Sequence, residues 1–236
     1  MIHSALSLFL LLGVAHLAAD FALQPAALVA WKGRSWAGAF FHAGIFAASA
    51  VLLALLTGTL PFLWPWILAL WLIHAATDRR KISVARNSGN TRCSNHGFFL
   101  FLVDQVLHFL ALAFASAFAV LASPAGWSRL PSDHLLVVLN AYLLVIFAFT
   151  VGLAVFSWEV LGSEQKGIPP VDWLLGGWER GVLLTSLLFQ LYWLLPLAFL
   201  PRLLAFRKAW HRAEARCGFC GGLSATILVS LLVRFL

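Results

Sequence analysis

Three times in this chain a histidine and an aspartate stand four residues apart: His16 and Asp20 in HLAAD, His74 and Asp78 in HAATD, and Asp104 and His108 in DQVLH. Imidazole and carboxylate are the side chains that together hold a divalent cation or pass a proton. A spacing of four puts both groups on one face of a helix, about 6 Å apart along its axis. Each pair lies in, or at the end of, a long apolar run, where ionisable groups are expensive and by default functional. In the first and third runs His precedes Asp, and in the fourth Asp precedes His. Consecutive spans alternate in direction, so this reversal holds all three carboxylates on one side and all three imidazoles about one turn deeper. His42, six residues into the second run, falls at a comparable level. Four imidazoles and three carboxylates are therefore expected to converge in one layered pocket.

Neutral imidazole with carboxylate oxygen suits Zn²⁺, Mn²⁺ or Fe²⁺, and carboxylate with amide and water suits Mg²⁺. The candidate metal ligands are His16, Asp20, His42, His74, Asp78, Asp104 and His108, for one ion or two. Asp20, Asp78, Asp104 and Gln105 are the candidate catalytic groups. Gln24 and Gln105 are placed to orient water or ligand. Arg79, Arg80 and Lys81 follow Asp78 directly and are candidates to bind an anionic headgroup, although basic residues flanking a span also serve as topology determinants. The chemistry expected is metal-dependent hydrolysis of a lipid-linked or amphipathic phosphate or ester. A metal- or proton-coupled transporter would use the same ligands. It would also show inverted halves with a site at the midplane, whereas no such repeat is legible here and the pairs cluster towards one face.

The elements that must position these groups follow from composition. Hydrophobic residues make up 62% and charged residues 11% of the 236, too few polar groups to cover a soluble domain. The expected fold is an all-α polytopic membrane bundle of six to eight spans. It forms a single transmembrane domain over 1–236, with a four-span half at 1–123 carrying the site and further helices at 133–236. Apolar runs fall at about 3–23, 36–57, 61–80, 97–123, 133–161, 177–200 and 218–235, each near the ~20 residues that cross a bilayer. The amino terminus lacks a basic n-region and a small-residue cleavage site, and reads as a first span. The net charge of +7 comes from clusters between these runs, so the expected partner is the lipid bilayer and not nucleic acid.

Lys32 and Arg34, and then Arg79, Arg80, Lys81, Arg86 and Arg92, direct the first and third connections to the cytoplasm, and the site is expected to open there. The basic cluster Arg202, Arg207, Lys208, Arg212 and Arg216 breaks simple alternation. The expectation is that 163–206 is divided at Gly176, Gly177, Pro196 or Pro201 into a half-helix or a helical hairpin. Glu179 and Arg180 in that region read as a structural ion pair. Cys93 with His96, and Cys217 with Cys220, have the three-residue spacing of zinc knuckles, though reduced cytosolic thiols are the plainer reading. Neither the substrate nor the oligomeric state is legible.

The run HLAADFALQPAALVAWK, the in-span His42, then HAATDRRK and FLVDQVLH, and later GGWERGVLL, resembles an uncharacterised bacterial family of small inner-membrane proteins with a domain of unknown function. That family is similar in pattern to predicted membrane-bound metal-dependent hydrolases. The resemblance covers most of the first 110 residues and patches thereafter. It implies residence in the bacterial inner membrane and a divalent metal cofactor.

Overall fold

The computed structural model describes residues 2–87, 96–123, 127, 129–160, 170–205 and 213–235. Every regular element among them is helical. In hydrocarbon a backbone N–H or C=O has no water to bond, and the helix satisfies both within one segment. In order the helices are α1 (Ile2–Leu17), α2 (Ala26–Arg34), α3 (Trp36–Leu56), α4 (Leu60–Asn87), α5 (His96–Ala122), α6 (Asp133–Leu143), α7 (Phe149–Glu159), α8 (Pro170–Leu188), α9 (Leu195–Ala205) and α10 (Ala213–Phe235). A π turn at Ala18–Ala22 extends α1, and a second at Leu144–Ala148 joins α6 to α7. Among the described residues six helical stretches are long and apolar enough to cross a membrane: His3–Ala22, Trp36–Leu56, Leu60–Val84, Gly97–Ala122, Asp133–Glu159 and Gly218–Phe235.

The chain forms two compact units, Met1–Thr91 with Phe99–Asn140, and Arg92–Phe98 with Ala141–Leu236. The division falls inside the fifth span, and side chains on the first turns of α6 account for it. Ser7 donates to Asp133, and Asn140 Nδ2 donates to Leu10 O at 2.9 Å. Gly13 lets Asn140 approach so closely that a Cβ there would lie 2.7 Å from its Oδ1. The start of α6 is thus tied to α1.

In the first unit α3 and α4 form a hairpin closed at Gly58, whose φ of 66° is the left-handed conformation that favours glycine. Ser35 caps α3 by accepting from Gly38 N at 3.0 Å. Small residues on α3, among them Ala43, Ala50 and Ala54, are fully buried and let backbones approach. Leu8, Leu11, Leu12, Phe46, Leu63, Ile67, Leu70 and Leu112 fill the core around them. Outward-facing Leu55, Phe114 and Leu121 stay exposed, as a lipid-facing surface requires.

In the second unit the apolar run at 177–200 is not a continuous span. It breaks after Leu188 at Gln190, whose φ is 58°, and resumes through a 3₁₀ turn, Tyr192–Leu194, into α9. Trp178 Nε1 donates to Leu197 O at 3.2 Å, which pairs α9 with α8 as a helical hairpin. The hairpin expected from the basic residues is present, but its break lies elsewhere. Gly176 and Gly177 stay inside α8, where a Cβ at Gly176 would crowd Arg180 at 3.1 Å and one at Gly177 would make ordinary contact with Ile146 at 3.4 Å. Pro196 lies in the first turn of α9, where its missing N–H breaks no helical bond.

Arg180 is buried and donates through Nε to Val145 O at 2.7 Å, through Nη2 to Ile146 O at 3.3 Å, and to Thr150 Oγ1. Both carbonyls belong to the second π turn, whose wider winding gives up i→i−4 bonds. The guanidinium supplies donors there, and Thr150 Oγ1 also donates to Ile146 O at 2.6 Å. Gly176 and Gly222 cradle it, since a Cβ at either would lie 3.1 Å from Nη1. Glu179 is buried one residue earlier. Cys93 and the side chains of His96, Asp172 and Cys217 lie outside the described residues, and Cys220 is a free, exposed thiol.

Candidate metal centre

Four helices of the first unit carry the site: α1 with its π turn, α3, α4 and α5. The apolar neighbours of His16, His42, His74 and His108 are fixed by core packing, so their imidazoles find polar company in each other, the aspartates, Gln24 and Gln105. All four histidines, with Asp20, Asp78 and Asp104, are 0–6% exposed. The π turn places Asp20, because winding at i→i+5, seen in the bond from Leu23 N to Ala18 O at 2.8 Å, changes the direction in which this carboxylate leaves the helix.

The centre of the site is a quartet of donors. Asp20 Oδ1 lies 3.2 Å from both His42 Nε2 and His74 Nε2, and these two nitrogens are 3.3 Å apart. Asp78 Oδ2 lies 3.5 Å from His42 Nε2 and 3.8 Å from His74 Nε2. His16 joins from one side, its Nδ1 3.8 Å from Asp20 Oδ1. His108 joins from another, its ring centroid 4.2 Å from that of His74 and 5.0 Å from that of His16. Three groups of ligand atoms lie within 4.8 Å of one another: His16, Asp20 and His74; His42, His74 and Asp78; Asp78, Asp104 and His108. All seven predicted ligands therefore come together.

Hydrogen bonds set the imidazole tautomers. His108 Nδ1 lies 2.7 Å from the carbonyl of Asp104, which can only accept, so this nitrogen carries the proton and Nε2 is a bare lone pair. Gln105 Nε2 donates to Asp104 Oδ2 at 3.4 Å, which turns its Oε1 towards His16 Nε2 at 3.2 Å. That oxygen also only accepts, so His16 presents Nδ1 bare. A histidine that ligates a metal donates its other N–H in this way. The bare atoms, His16 Nδ1 and His108 Nε2, have no hydrogen-bond partner, and neither does Asp104 Oδ1, whereas Asp20 Oδ1 is within hydrogen-bond distance of His42 Nε2 and His74 Nε2. Buried polar atoms left unpaired are costly and call for an explanation. A cation is the partner that suits both a bare imidazole nitrogen and a carboxylate oxygen.

Lysines cover the carboxylates. Lys81 Nζ donates to Asp104 Oδ2 at 2.7 Å, and Lys32 Nζ to Asp78 Oδ2 at 3.2 Å. Lys81 reaches in because α4 continues to Asn87 instead of ending with the apolar run near residue 80. One turn beyond Asp78, it faces the same way. Lys32 was not among the predicted site residues, which treated it only as a loop charge. Its signal was Pro25 followed by AALVAWK, a helix start, with Ser35 opening the next helix. Gln24, in the orientation that satisfies both ends of its amide, donates to Asp20 O at 2.8 Å and accepts from Lys32 Nζ at 2.7 Å.

Of the three basic residues after Asp78, only Lys81 touches the site. Arg79 donates to Lys32 O at 3.3 Å and lies 5.2 Å from the centroid of the Trp36 ring, which anchors α2 over α4. Arg80 is exposed. On the imidazole side Phe46 stacks on His74 with centroids 5.6 Å apart, and Phe109 meets His16 edge-on at 5.3 Å. The observed order is thus ammonium, carboxylate, imidazole and then aromatic floor. Gln105 bridges two helices of this arrangement and holds His16 and Asp104 in position.

Residues 8–137 match the family model described as "Protein of unknown function (DUF3307)". The matched stretch contains every residue of the site. No curated protein and no solved structure matches the chain.

Proposed function

The chain belongs to the DUF3307 family of proteins of unknown function, and we propose that it is a membrane-embedded, metal-dependent hydrolase of a lipid-linked or amphipathic phosphate or ester. The observation that carries this reading is the convergence of four buried imidazoles and three buried carboxylates, with three of their ligand atoms, His16 Nδ1, Asp104 Oδ1 and His108 Nε2, left without a hydrogen-bond partner. Packing glue would pair its polar atoms across helices. Here cross-helix pairs are made as well, yet they leave His16 Nδ1 bare 3.8 Å from Asp20 Oδ1, and His108 Nε2 and Asp104 Oδ1 without partners.

The groups that would hold the metal are His16, Asp20, His74, Asp78, Asp104 and His108. A divalent cation bound there supplies Lewis-acid polarisation of the scissile group. His42, central and within 3.5 Å of two carboxylates, is the group placed to take a proton from an attacking water. Gln105 is a positioning residue for His16 and Asp104. Lys32 and Lys81 balance two of the three carboxylates and present cationic heads to an anionic headgroup. Burial excludes bulk water, which strengthens every one of these interactions.

The test is ion content. Detergent-purified protein is expected to carry stoichiometric divalent metal, and chelation to lower its melting temperature reversibly. A ligand at one hundred times its dissociation constant contributes about 2.7 kcal/mol. Asp104→Asn keeps shape and removes the charge, and is expected to abolish any turnover and lower the metal content. Protein free of metal, with a melting temperature unmoved by chelator or by added Zn²⁺, Mn²⁺ or Mg²⁺, sinks the reading.

We place the protein in the bacterial inner membrane with its amino terminus outside and the Lys32–Lys81 side of the site towards the cytoplasm. Basic residues around 32–34 and 79–92 support this orientation. Counting the α8–α9 hairpin as no net crossing lets the basic residues at 202–216 obey the same rule. A cysteine placed at Gly58 is expected to react with impermeant reagent from outside, and one at Arg80 only from the cytoplasmic side. The opposite labelling pattern refutes the orientation.

A further inference from the structure

We propose that the site binds two divalent cations at non-equivalent positions that share no ligand, one on His16, Asp20 and His74 and the other on Asp78, Asp104 and His108. The inference deepens the hydrolase reading and rests on it. In each set the donor atoms lie within 4.8 Å of one another, compatible with metal–ligand bonds of about 2 Å after small adjustment.

The unpartnered atoms decide between one ion and two. They fall in both outer sets, His16 Nδ1 in the first and Asp104 Oδ1 and His108 Nε2 in the second. The third possible set, His42, His74 and Asp78, contributes none. Its two imidazole nitrogens face each other at 3.3 Å, and each is also 3.2 Å from Asp20 Oδ1. A single central ion would leave these outer atoms unexplained. Two outer ions account for all three, and His42 then lies between them as a non-ligand.

The sets also differ in chemistry. Two imidazoles and a carboxylate suit Zn²⁺, while two carboxylates and an imidazole suit a harder ion such as Mn²⁺ or Mg²⁺. Charge then narrows the substrate. With neutral imidazoles the three carboxylates exceed Lys32 and Lys81 by one negative charge. Two divalent cations turn that into three positive charges in a buried place, which an anionic phosphoester compensates and a neutral ester does not.

The experiment loads the metal-stripped, detergent-purified full chain with Mn²⁺ and counts ions per chain by elemental analysis after gel filtration. Electron paramagnetic resonance reports whether the ions are adjacent. Wild type is expected to hold two ions with a spin-coupled spectrum. His16→Ala and Asp104→Asn are each expected to hold one, with an uncoupled signal, and the double variant none. If either variant fails to fold, Asp20→Asn and His108→Gln replace it at the same position. Inorganic phosphate is expected to change the coupled spectrum where acetate does not. One ion per wild-type chain overturns the two-ion assignment and leaves the hydrolase reading standing, as does a wild type whose ions are both lost in either single variant. A wild type without bound ion overturns both. An equal response to phosphate and acetate overturns the phosphoester assignment.

Discussion

Replacing Lys32 with methionine is expected to destabilise the metal-free protein by about 3 kcal/mol, the lower end of what breaking a buried ion pair costs. The side chain of Lys32 is 13% exposed and that of its partner Asp78 is 2% exposed, with Nζ 3.2 Å from Oδ2. Methionine keeps the apolar stem and removes only the ammonium, so lost packing contributes little. Asp78 is then left beside Asp20 and Asp104 with one counter-charge fewer. A divalent cation supplies that charge in another way. Thermal unfolding in chelator and in saturating Mn²⁺ is therefore expected to show a large deficit in the first condition and a much smaller one in the second. The variant's affinity for the ion is expected to rise, because the ion no longer competes with an internal ammonium. Equal deficits in both conditions would mean that Lys32 serves folding alone and that the carboxylates do not exchange it for a metal.

Arg180→Met is expected to lower stability by about 3 kcal/mol or more while leaving metal content unchanged. The guanidinium donates to Val145 O, Ile146 O and Thr150 Oγ1, and of these Ile146 O keeps a second donor in Thr150 Oγ1 at 2.6 Å. Each buried acceptor left unpaired costs on the order of 1–3 kcal/mol. Arg180→Lys is expected to recover only part of the loss, since one ammonium cannot reproduce the planar fork that reaches both carbonyls. Thermal unfolding and elemental analysis on the same samples check both halves. A melting temperature within a degree of wild type would remove Arg180 from the list of structural residues. Loss of bound metal would contradict the separation of this group from the site.

Much of the site was legible because the signal was local. A His–Asp spacing of four needs only helical periodicity to become a shared face, and the inverted order on the fourth span needs only alternation of direction. The span positions were legible for a similar reason, since hydropathy over about 20 residues is a property of the segment itself. What failed to show were contacts made by groups whose local setting looked ordinary. Lys32 reads as one more loop charge until α2 folds it over Asp78. Lys81 reads as a flanking residue until α4 runs a further turn and more beyond the apolar stretch.

Glycine misled in one place. Gly176 and Gly177 read as helix breakers, yet both remain helical, and Gly176 leaves room for the Arg180 guanidinium. The break comes instead at Gln190, a residue with no breaker signal. Neither π turn is marked in the sequence, because a change from i→i−4 to i→i+5 winding involves no change of residue type. Composition and periodicity by themselves determined that this is a helical membrane protein with three carboxylates and four imidazoles at one depth. Only the tertiary structure decided which carboxylates lysines hold and which ligand atoms are left without a partner, because these depend on distances of a few ångströms between helices that no sequence period encodes.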